Sequence, residues 1–207
     1  VLIGLAGSET LGFTGQTATF ADKNAGAAKA VTVSGISLAD GTGLASNYTV
    51  SNPVGLTANI APRAATVSGI TASDKIYDGT TNAQLNASNA VLSNLIAGDS
   101  VSVLASGAFA NANAGNTKTV NITGSYGGPD AGNYVITGQS SATASIGRKA
   151  LTLTGLSASD KTYDGSTSAS LSGGVLNGLV GQETLNVTGL TAAFADKNAG
   201  SSKTVTV

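Results

Sequence analysis

The 207-residue sequence contains no cysteine, histidine, methionine or tryptophan. Without cysteine no disulfide can form, so a reducing and an oxidising compartment are equally allowed. Without histidine or cysteine the chain has none of the side chains that most often serve as general base, thiol nucleophile or soft-metal ligand. We therefore expect no enzymatic activity, no cofactor and no metal site.

Charged residues (10%) and aromatic residues (4%) are scarce, and the formal net charge is −1. No block of like charge would attract nucleic acid or anionic lipid, and no apolar run is long enough to cross a bilayer. We expect neither nucleic-acid binding nor membrane insertion. Gly, Ala, Ser, Thr and Asn dominate the rest, and they suit strands and tight turns better than solvated helices.

The sequence contains an internal repeat. The segment Ser73 to Thr80 returns as Ser159 to Ser166, 86 residues later. The matches predict three domains: the C-terminal part of one repeat (residues 1–62), one complete repeat (residues 63–148) and the N-terminal part of another (residues 149–207). We call them the first, middle and third repeats, and we expect the parent array to continue in both directions.

Alternate repeats resemble each other more than neighbours do. Val1 to Val33 aligns without a gap with Val175 to Val207, at an offset of 174 residues and with roughly two-thirds identity. The middle repeat departs from both, since Asn111-Ala112-Asn113 stands where they have Asp22-Lys23-Asn24 and Asp196-Lys197-Asn198. The pattern indicates that the gene last expanded by copying two repeats at once.

Short alternating or β-branched runs, broken by turn residues, predict the strands of the middle repeat. The predicted strands are Ala65 to Ile70, Ser100 to Leu104, Thr117 to Thr123, Asn133 to Thr137 and Ala142 to Ile146. Several strands at this spacing predict an all-β fold of tandem, Ig-like β-sandwich modules. A β-grasp fold is the alternative, and the only site for its helix is Ser88 to Ile96.

The junctions between repeats are short. They are Ile60 to Ala64 and Ile146 to Ala150, and neither contains a flexible Gly/Ser linker. A last strand that runs almost directly into the next first strand limits hinge motion. We therefore expect an elongated, stiff or semi-stiff rod.

Three phenylalanines, Phe20, Phe109 and Phe194, occupy one equivalent site in the three repeats. Fully burying such a side chain contributes about 1.5–3 kcal/mol. In a chain so poor in aromatic residues, we expect each ring to be the largest core contribution of its repeat.

Tyrosines recur beside turn formers. In Tyr77-Asp78-Gly79 and Tyr163-Asp164-Gly165 we expect the ring to anchor a strand end over the core and Asp-Gly to form the turn. A platform for a sugar ring is the alternative for these tyrosines. In Asn47-Tyr48 and Asn133-Tyr134 we expect Asn to cap a turn and Tyr to pack against or tie a corner, as in sandwich domains.

A lysine recurs at one site as Lys29, Lys118 and Lys203. The expected role is that of an edge-strand lysine that blocks unwanted pairing. The alternative is an intramolecular isopeptide bond to a nearby Asn.

Four acidic residues offer oxygen ligands of the kind calcium prefers, namely Asp74, Asp78, Asp99 and Asp130. Calcium sites take six to eight oxygens, usually from carboxylates close together in sequence. These four are scattered and have no Asp-x-Asp-x-Asp spacing, so turn formation is their predicted role.

Several motifs in a fixed order carry a family resemblance. They are Lys-x-Tyr-Asp-Gly-Thr/Ser at Lys75 and Lys161, Ala-Phe-Ala-Asp-Lys-Asn-Ala-Gly at Ala193 to Gly200 with its near copy Thr19 to Gly26, and Asp-Ala-Gly-Asn-Tyr at Asp130 to Tyr134. Together they resemble the YDG-type repeat of large bacterial secreted and surface proteins, including two-partner-secretion adhesins related to filamentous haemagglutinin. The resemblance covers essentially the whole chain and implies a tandem β-rich spacer outside the cell.

The expected function is that of a stalk that projects an adhesive domain from the bacterial surface. Each repeat of such an array contacts mainly its neighbours, and a host or matrix glycan or protein would bind through other domains. In one alternative, identical chains assemble through exposed strand edges into an extracellular or biofilm filament. In a second alternative, the repeat is a carbohydrate-binding module that uses its tyrosines.

Overall fold

The computed structural model describes residues 1–207 and contains nineteen strands, two 3-10 turns and no α-helix. Strands β1 to β19 are, in chain order, Gly12–Thr14, Thr17–Phe20, Gly26–Ser34, Ser37–Ala39, Leu56–Ile60, Arg63–Ser68, Thr71–Ala72, Lys75–Ile76, Asn82–Ala83, Leu85–Asn86, Val91–Ser93, Ser102–Phe109, Gly115–Gly127, Tyr134–Thr137, Ser141–Gly147, Thr152–Ala158, Leu171–Asn177, Ala193–Phe194 and Val205–Thr206. The 3-10 turns are Ala45–Asn47 and Ala131–Asn133. None of the helical segments has the length and hydropathy of a membrane span.

The chain divides into two compact units. The first comprises Val1–Ile70, Ala87–Ala105 and Thr123–Ser140, and the second comprises Thr71–Asn86, Ser106–Ile122 and Ser141–Val207. Each unit therefore combines one flanking repeat with part of the middle repeat, and β12 and β13 contribute residues to both.

The first unit contains three sheets. In two of them β1 pairs with β4, and β3 lies between β2 and β5, all antiparallel. In the third, β6 pairs antiparallel with β11 and parallel with β14. The parallel register places Tyr134 beside Arg63 and Ile136 beside Ala65. Strand β14 is therefore hydrogen-bonded to β6, the first strand of the middle repeat.

The second unit contains a five-stranded sheet of order β8-β15-β13-β12-β9. In it β13 is antiparallel to β15, and β8 is parallel to β15. Three antiparallel pairs accompany this sheet: β7 with β10, β16 with β17, and β18 with β19.

The predicted all-β, β-sandwich-like class is confirmed. Each of the five predicted strands overlaps an observed one, and Thr117 to Thr123 lies entirely within β13. The segment Ser88 to Ile96, which a β-grasp fold would need as a helix, instead contains β11. This strand pairs with β6, so the segment is part of a sheet.

Buried apolar side chains occur only in the middle repeat. They are Ala65, Val67, Ile70 and Tyr134 in the first unit, and Phe109, Val120, Ala144 and Ile146 in the second. Half-buried side chains of Ala72, Tyr77, Ala83 and Leu85 pack against the second group. The middle repeat is the one whose full set of strands is present, which explains why burial concentrates there.

The expectation that all three recurrent phenylalanines are core residues is wrong for Phe20. Phe109 is 2% exposed, whereas Phe20 is 42% exposed and Phe194 is half-buried. The strands β7 to β10 supply the residues that cover Phe109, and the sequence has no copy of them ahead of Phe20. Likewise, no copy of β15 follows Phe194. An equivalent sequence position is therefore buried only where its covering strands exist.

We expect Phe109→Ala to destabilise the second unit by about 3–5 kcal/mol, because it removes a fully buried ring and leaves a cavity. The matched control is Phe20→Ala, whose exposed ring should contribute much less. Chemical unfolding monitored by circular dichroism measures both variants. Equal losses in the two would show that the ring of Phe109 is not a core contact.

Candidate functional site

The Lys-x-Tyr-Asp-Gly segment of the middle repeat forms a closed loop around one ammonium group. Lys75 Nζ donates to Asp78 Oδ1 (2.7 Å), to the Thr80 carbonyl (2.8 Å) and hydroxyl (3.1 Å), and to the Asn82 carbonyl (3.1 Å). The same ammonium lies 5.6 Å from the centroid of the Phe109 ring, within cation–π range. The loop is thus fastened to the aromatic ring of the core.

The third repeat reproduces this loop. Lys161 Nζ donates to Asp164 Oδ1 (2.9 Å) and to the carbonyl (2.9 Å) and hydroxyl (3.0 Å) of Ser166, and it lies 5.7 Å from the Phe194 ring centroid. The glycine after each aspartate has positive φ, +78° at Gly79 and +77° at Gly165. Asp-Gly therefore forms the turn in both copies, with glycine in a conformation that other residues rarely adopt.

Each loop aspartate is held ionised. The Lys75 ammonium, together with the backbone N–H and hydroxyl of Thr80, lowers the pKa of Asp78 from 3.8 to about 2. Lys161 and the backbone N–H and hydroxyl of Ser166 likewise lower the pKa of Asp164 to about 2.

The two loop tyrosines differ, and the predicted anchoring role is wrong for Tyr163. Tyr77 packs against the core cluster of the second unit, and its hydroxyl donates to the Glu183 carboxylate. Tyr163 is 60% exposed and lines a cleft of about 630 Å³ with Phe194. In the middle repeat β15 covers the corresponding position, so this cleft marks the place that a strand takes in a complete repeat.

The tyrosine of each Asn-Tyr pair ties a corner. The Tyr134 hydroxyl accepts from the Ile96 backbone N–H (2.9 Å) and donates to Asp99 Oδ2 (2.7 Å). Burial and then the Asp99 carboxylate raise the pKa of the Tyr134 phenol. We call Asp99, Asp130, Asn133 and Tyr134 the middle corner.

The first repeat has the same arrangement. The Tyr48 hydroxyl accepts from the Ala6 backbone N–H (3.0 Å) and donates to the Glu9 carboxylate, which raises the pKa of the phenol. The acid again lies three residues after the N–H donor. In the third repeat, Glu183 and Val180 stand at the corresponding places, and here Glu183 accepts from Tyr77.

The expectation that Asn133 caps its own turn is wrong. The residue before each 3-10 turn, Leu44 or Asp130, supplies no side-chain cap, and each turn is closed by the N–H of the following tyrosine. In the first repeat the Asp40 carboxylate accepts from the Ala45 N–H (2.6 Å). Asn133 instead binds the preceding repeat. Its Oδ1 accepts from the Ala25 N–H (2.8 Å) and its Nδ2 donates to Asn24 Oδ1 (3.2 Å).

A lysine of the first repeat completes this contact. Lys23 Nζ lies 2.7 Å from Asp99 Oδ1 and 3.3 Å from Asp130 Oδ1. The two carboxylates raise the pKa of Lys23, and Lys23 and then the Tyr134 hydroxyl lower the pKa of Asp99. The loop Asp22 to Gly26 of the first repeat, which we call the first docking loop, is thus bound to the middle corner.

The loop at the same position in the middle repeat faces the third repeat. Asn113 and Ala114 line a cleft of about 360 Å³ with Leu179, Val180 and Leu185. Next to it, a Cβ added at Gly79 would lie 2.9 Å from Val180 Cγ1. In the second unit the turn and Tyr77 of the middle repeat therefore contact the acid-bearing segment of the third, and the loop lines the cleft beside this contact.

The recurrent lysine binds the side chain of the first residue of each loop, and the predicted edge-strand role is wrong. Lys29 and Lys118 belong to β3 and β13, which are interior strands. Lys29 and Lys203 bind the carboxylates of Asp22 and Asp196, and Lys118 Nζ donates to Asn111 Oδ1 (2.7 Å). The residue before each lysine has positive φ, at Ala28 (49°), Thr117 (50°) and Ser202 (52°). In β3 and β13 the pairing register also shifts just before the lysine, which marks a bulge in both strands.

The acidic residues act as hydrogen-bond acceptors at turns and corners. Asp74 Oδ1 accepts from the Ser145 N–H (2.6 Å), and Asp130 Oδ2 accepts from the Ser100 N–H (2.9 Å). No group of three or more acidic side chains lies together in a way that could hold a metal ion.

Sequence reasoning missed the pairing partners of Asp99. Lys23 is 76 residues away and in another repeat, so no local spacing indicates the contact. The signal that could have found it is the change at one alignment position: Lys23 and Lys197 are replaced by Ala112 in the middle repeat.

Asp78→Asn should lower the free energy of unfolding at pH 7, because the amide keeps an acceptor for Thr80 but loses the charge that binds Lys75. The folded pKa of about 2 lies below the ordinary 3.8, so the charge stabilises the fold above about pH 4 and this contribution disappears as pH falls toward 2. Urea unfolding from pH 7 to pH 2 should show the deficit shrinking with acid, and Asp164→Asn should behave alike. A deficit independent of pH would contradict the role of the charge.

Gly79→Ala should destabilise the chain more than Gly165→Ala. Both substitutions force alanine into the left-handed region, at about 1–2 kcal/mol. Only at Gly79 does the new Cβ also meet the stiff side chain of Val180, while Gly165 has nothing within 4 Å. Equal losses of thermal stability would show that the turn does not contact the third repeat.

The comparison with protein families matches three segments of the chain. The YDG domain family matches residues 1–55, 61–144 and 147–207. Searches of curated proteins and of solved structures gave no match. Since the matched segments span nearly all of the sequence, the chain belongs to the YDG domain family.

Proposed function

We propose that the chain is a spacer segment of a bacterial surface or secreted adhesin, a stalk that projects an adhesive domain and has no catalytic role of its own. The observation that carries the proposal is that consecutive repeats contact each other within each unit. In the first unit a loop of one repeat binds the corner of the next. In the second unit Tyr77 and the Gly79 turn contact the acid-bearing segment of the next repeat. A contact of this kind adds to the short covalent junction, and it stiffens the connection between repeats.

The site that the first docking loop binds is shielded from water in the docked structure. Asp99 is 7% exposed and Asp130 is 15% exposed, although Lys23 itself is 69% exposed. Exposed ion pairs contribute little, but two shielded carboxylates on one side of an interface oppose its closure unless a cation lies between them. Lys23 is therefore the residue on which the contact depends most.

Self-assembly into a filament is the second candidate, and exposed apolar side chains favour it. Phe13 and Leu44 of the first repeat and Val175 and Leu190 of the third are among them. Such groups can associate between chains when they form a patch. Electron microscopy and sedimentation of the purified chain distinguish the two: single particles at all concentrations support the stalk, and ordered multi-chain filaments support the second candidate.

The stalk predicts a fixed geometry between the first and middle repeats. Because the chain contains no cysteine, Ser51→Cys and Leu104→Cys give one spin-labelled pair at two exposed positions of the first unit. We expect a narrow distance distribution by pulsed electron paramagnetic resonance. Lys23→Ala should broaden it, because the shielded carboxylates then lose their cation.

The matched control is Lys197→Ala, which removes the equivalent lysine from a loop with no following repeat in this chain. This variant should leave the distribution unchanged. A broad distribution in the unsubstituted chain would overturn the proposal of a stiff spacer.

A further inference from the structure

The corners of the first and middle repeats differ at one position. Asp130 precedes the 3-10 turn of the middle repeat, and its carboxylate faces Lys23. Leu44 precedes the 3-10 turn of the first repeat and is exposed. The middle corner thus offers two carboxylates to a docking loop. The first corner has Glu9 and leucine at the position of Asp130, and its second carboxylate, Asp40, accepts from the Ala45 N–H (2.6 Å).

The docking loops differ in the complementary sense. Lys23, in the loop of the first repeat, reaches the two carboxylates of the middle corner. Ala112 stands at this position in the middle repeat, whose loop faces a repeat of the alternate type with a single glutamate, Glu183. A lysine loop therefore precedes a corner with two carboxylates, and an alanine loop precedes a segment that carries Glu183.

The loop Asp196 to Gly200 of the third repeat, which contains Lys197, has the same internal hydrogen bonds as the first docking loop. Asn198 N–H donates to Asp196 Oδ1 at 2.8 Å, and Lys203 binds the same carboxylate. The first docking loop has the same internal bonds, from Asn24 N–H to Asp22 Oδ1 (2.8 Å) and from Lys29. Lys197 therefore extends from a loop that already has the conformation of the bound one.

We propose that the loop Asp196 to Gly200 is a docking surface for a repeat whose corner carries two carboxylates and an asparagine, like Asp99, Asp130 and Asn133. Lys23 and Lys197 on one side, and Asp130 or Leu44 on the other, are the residues that determine which repeats fit together. An exchanged order would set a lysine against a corner that has leucine in place of Asp130, or would set the carboxylates of Asp99 and Asp130 against alanine. The first arrangement loses one ion pair, and the second leaves two carboxylates without the lysine. The pairing holds whether the array serves as a stalk or as a filament.

The pairing is tested first in the chain as it stands, through the Ala25 amide. This N–H is bonded to Asn133 only while the first docking loop is bound, so its hydrogen exchange reports docking locally. We expect Lys23→Ala and Asp130→Leu each to accelerate exchange several-fold. In the double variant the loss of protection should be smaller than the sum of the two single losses, because Lys23 and Asp130 contact each other. Purely additive losses would overturn the pairing rule.

The docking surface is tested by extending the chain. Because Val207 aligns with Val33, residues 34–148 can be joined after Val207 so that a second copy of the middle repeat follows the third. The Ala199 amide, equivalent to Ala25, should exchange fast in the original chain and become protected in the extended one. Lys197→Ala should remove that protection and change nothing in the original chain.

Two results would overturn the assignment of the surface: an Ala199 amide that stays unprotected in an extended chain whose Tyr134 copy is buried, or protection that survives Lys197→Ala. Neither result depends on the distance measurement between repeats, so the pairing and the stiff spacer can fail separately.

Discussion

The carboxylate of Asp99 is the point on which the first unit depends. It accepts the hydroxyl of Tyr134 from its own repeat and the ammonium of Lys23 from the preceding one. The same side chain thus ties an internal corner and an external loop, and the fold of one repeat and its attachment to the neighbour are not independent. Opening of the middle corner would therefore also remove the bond to the preceding loop.

The distribution of burial follows from the same dependence on neighbours. Phe109 is covered because strands before and after it in the sequence return to it, and Phe20 is not because the sequence contains no such strands ahead of it. The YDG repeat is therefore a unit whose core is made by contacts across nearly its whole length. A charged group also contributes to this core, because the Lys75 ammonium binds Asp78 of its own loop and lies against the Phe109 ring.

The sequence predicts what short-range chemistry determines. Alternation located the strands, Asp-Gly located the turns at Asp78 and Asp164, and the repeated Asn-Tyr pair located the corner. It does not predict contacts between groups far apart in the chain, such as Lys23 with Asp99 or Asn133 with Ala25. Such contacts depend on how a loop of one repeat meets the next, and no local periodicity encodes that geometry. The edge-strand role predicted for Lys29 is also wrong, because an edge strand and an interior strand can have the same sequence pattern and β3 is an interior strand.

The difference between Lys23 and Ala112 has a consequence for how the gene can change length. Unequal crossing-over that removed or added one repeat would join two repeats of the same type, and a lysine loop would meet a leucine corner. Removing or adding two repeats preserves every junction. Natural variants of this array should therefore differ by even numbers of repeats, in steps of 174 residues.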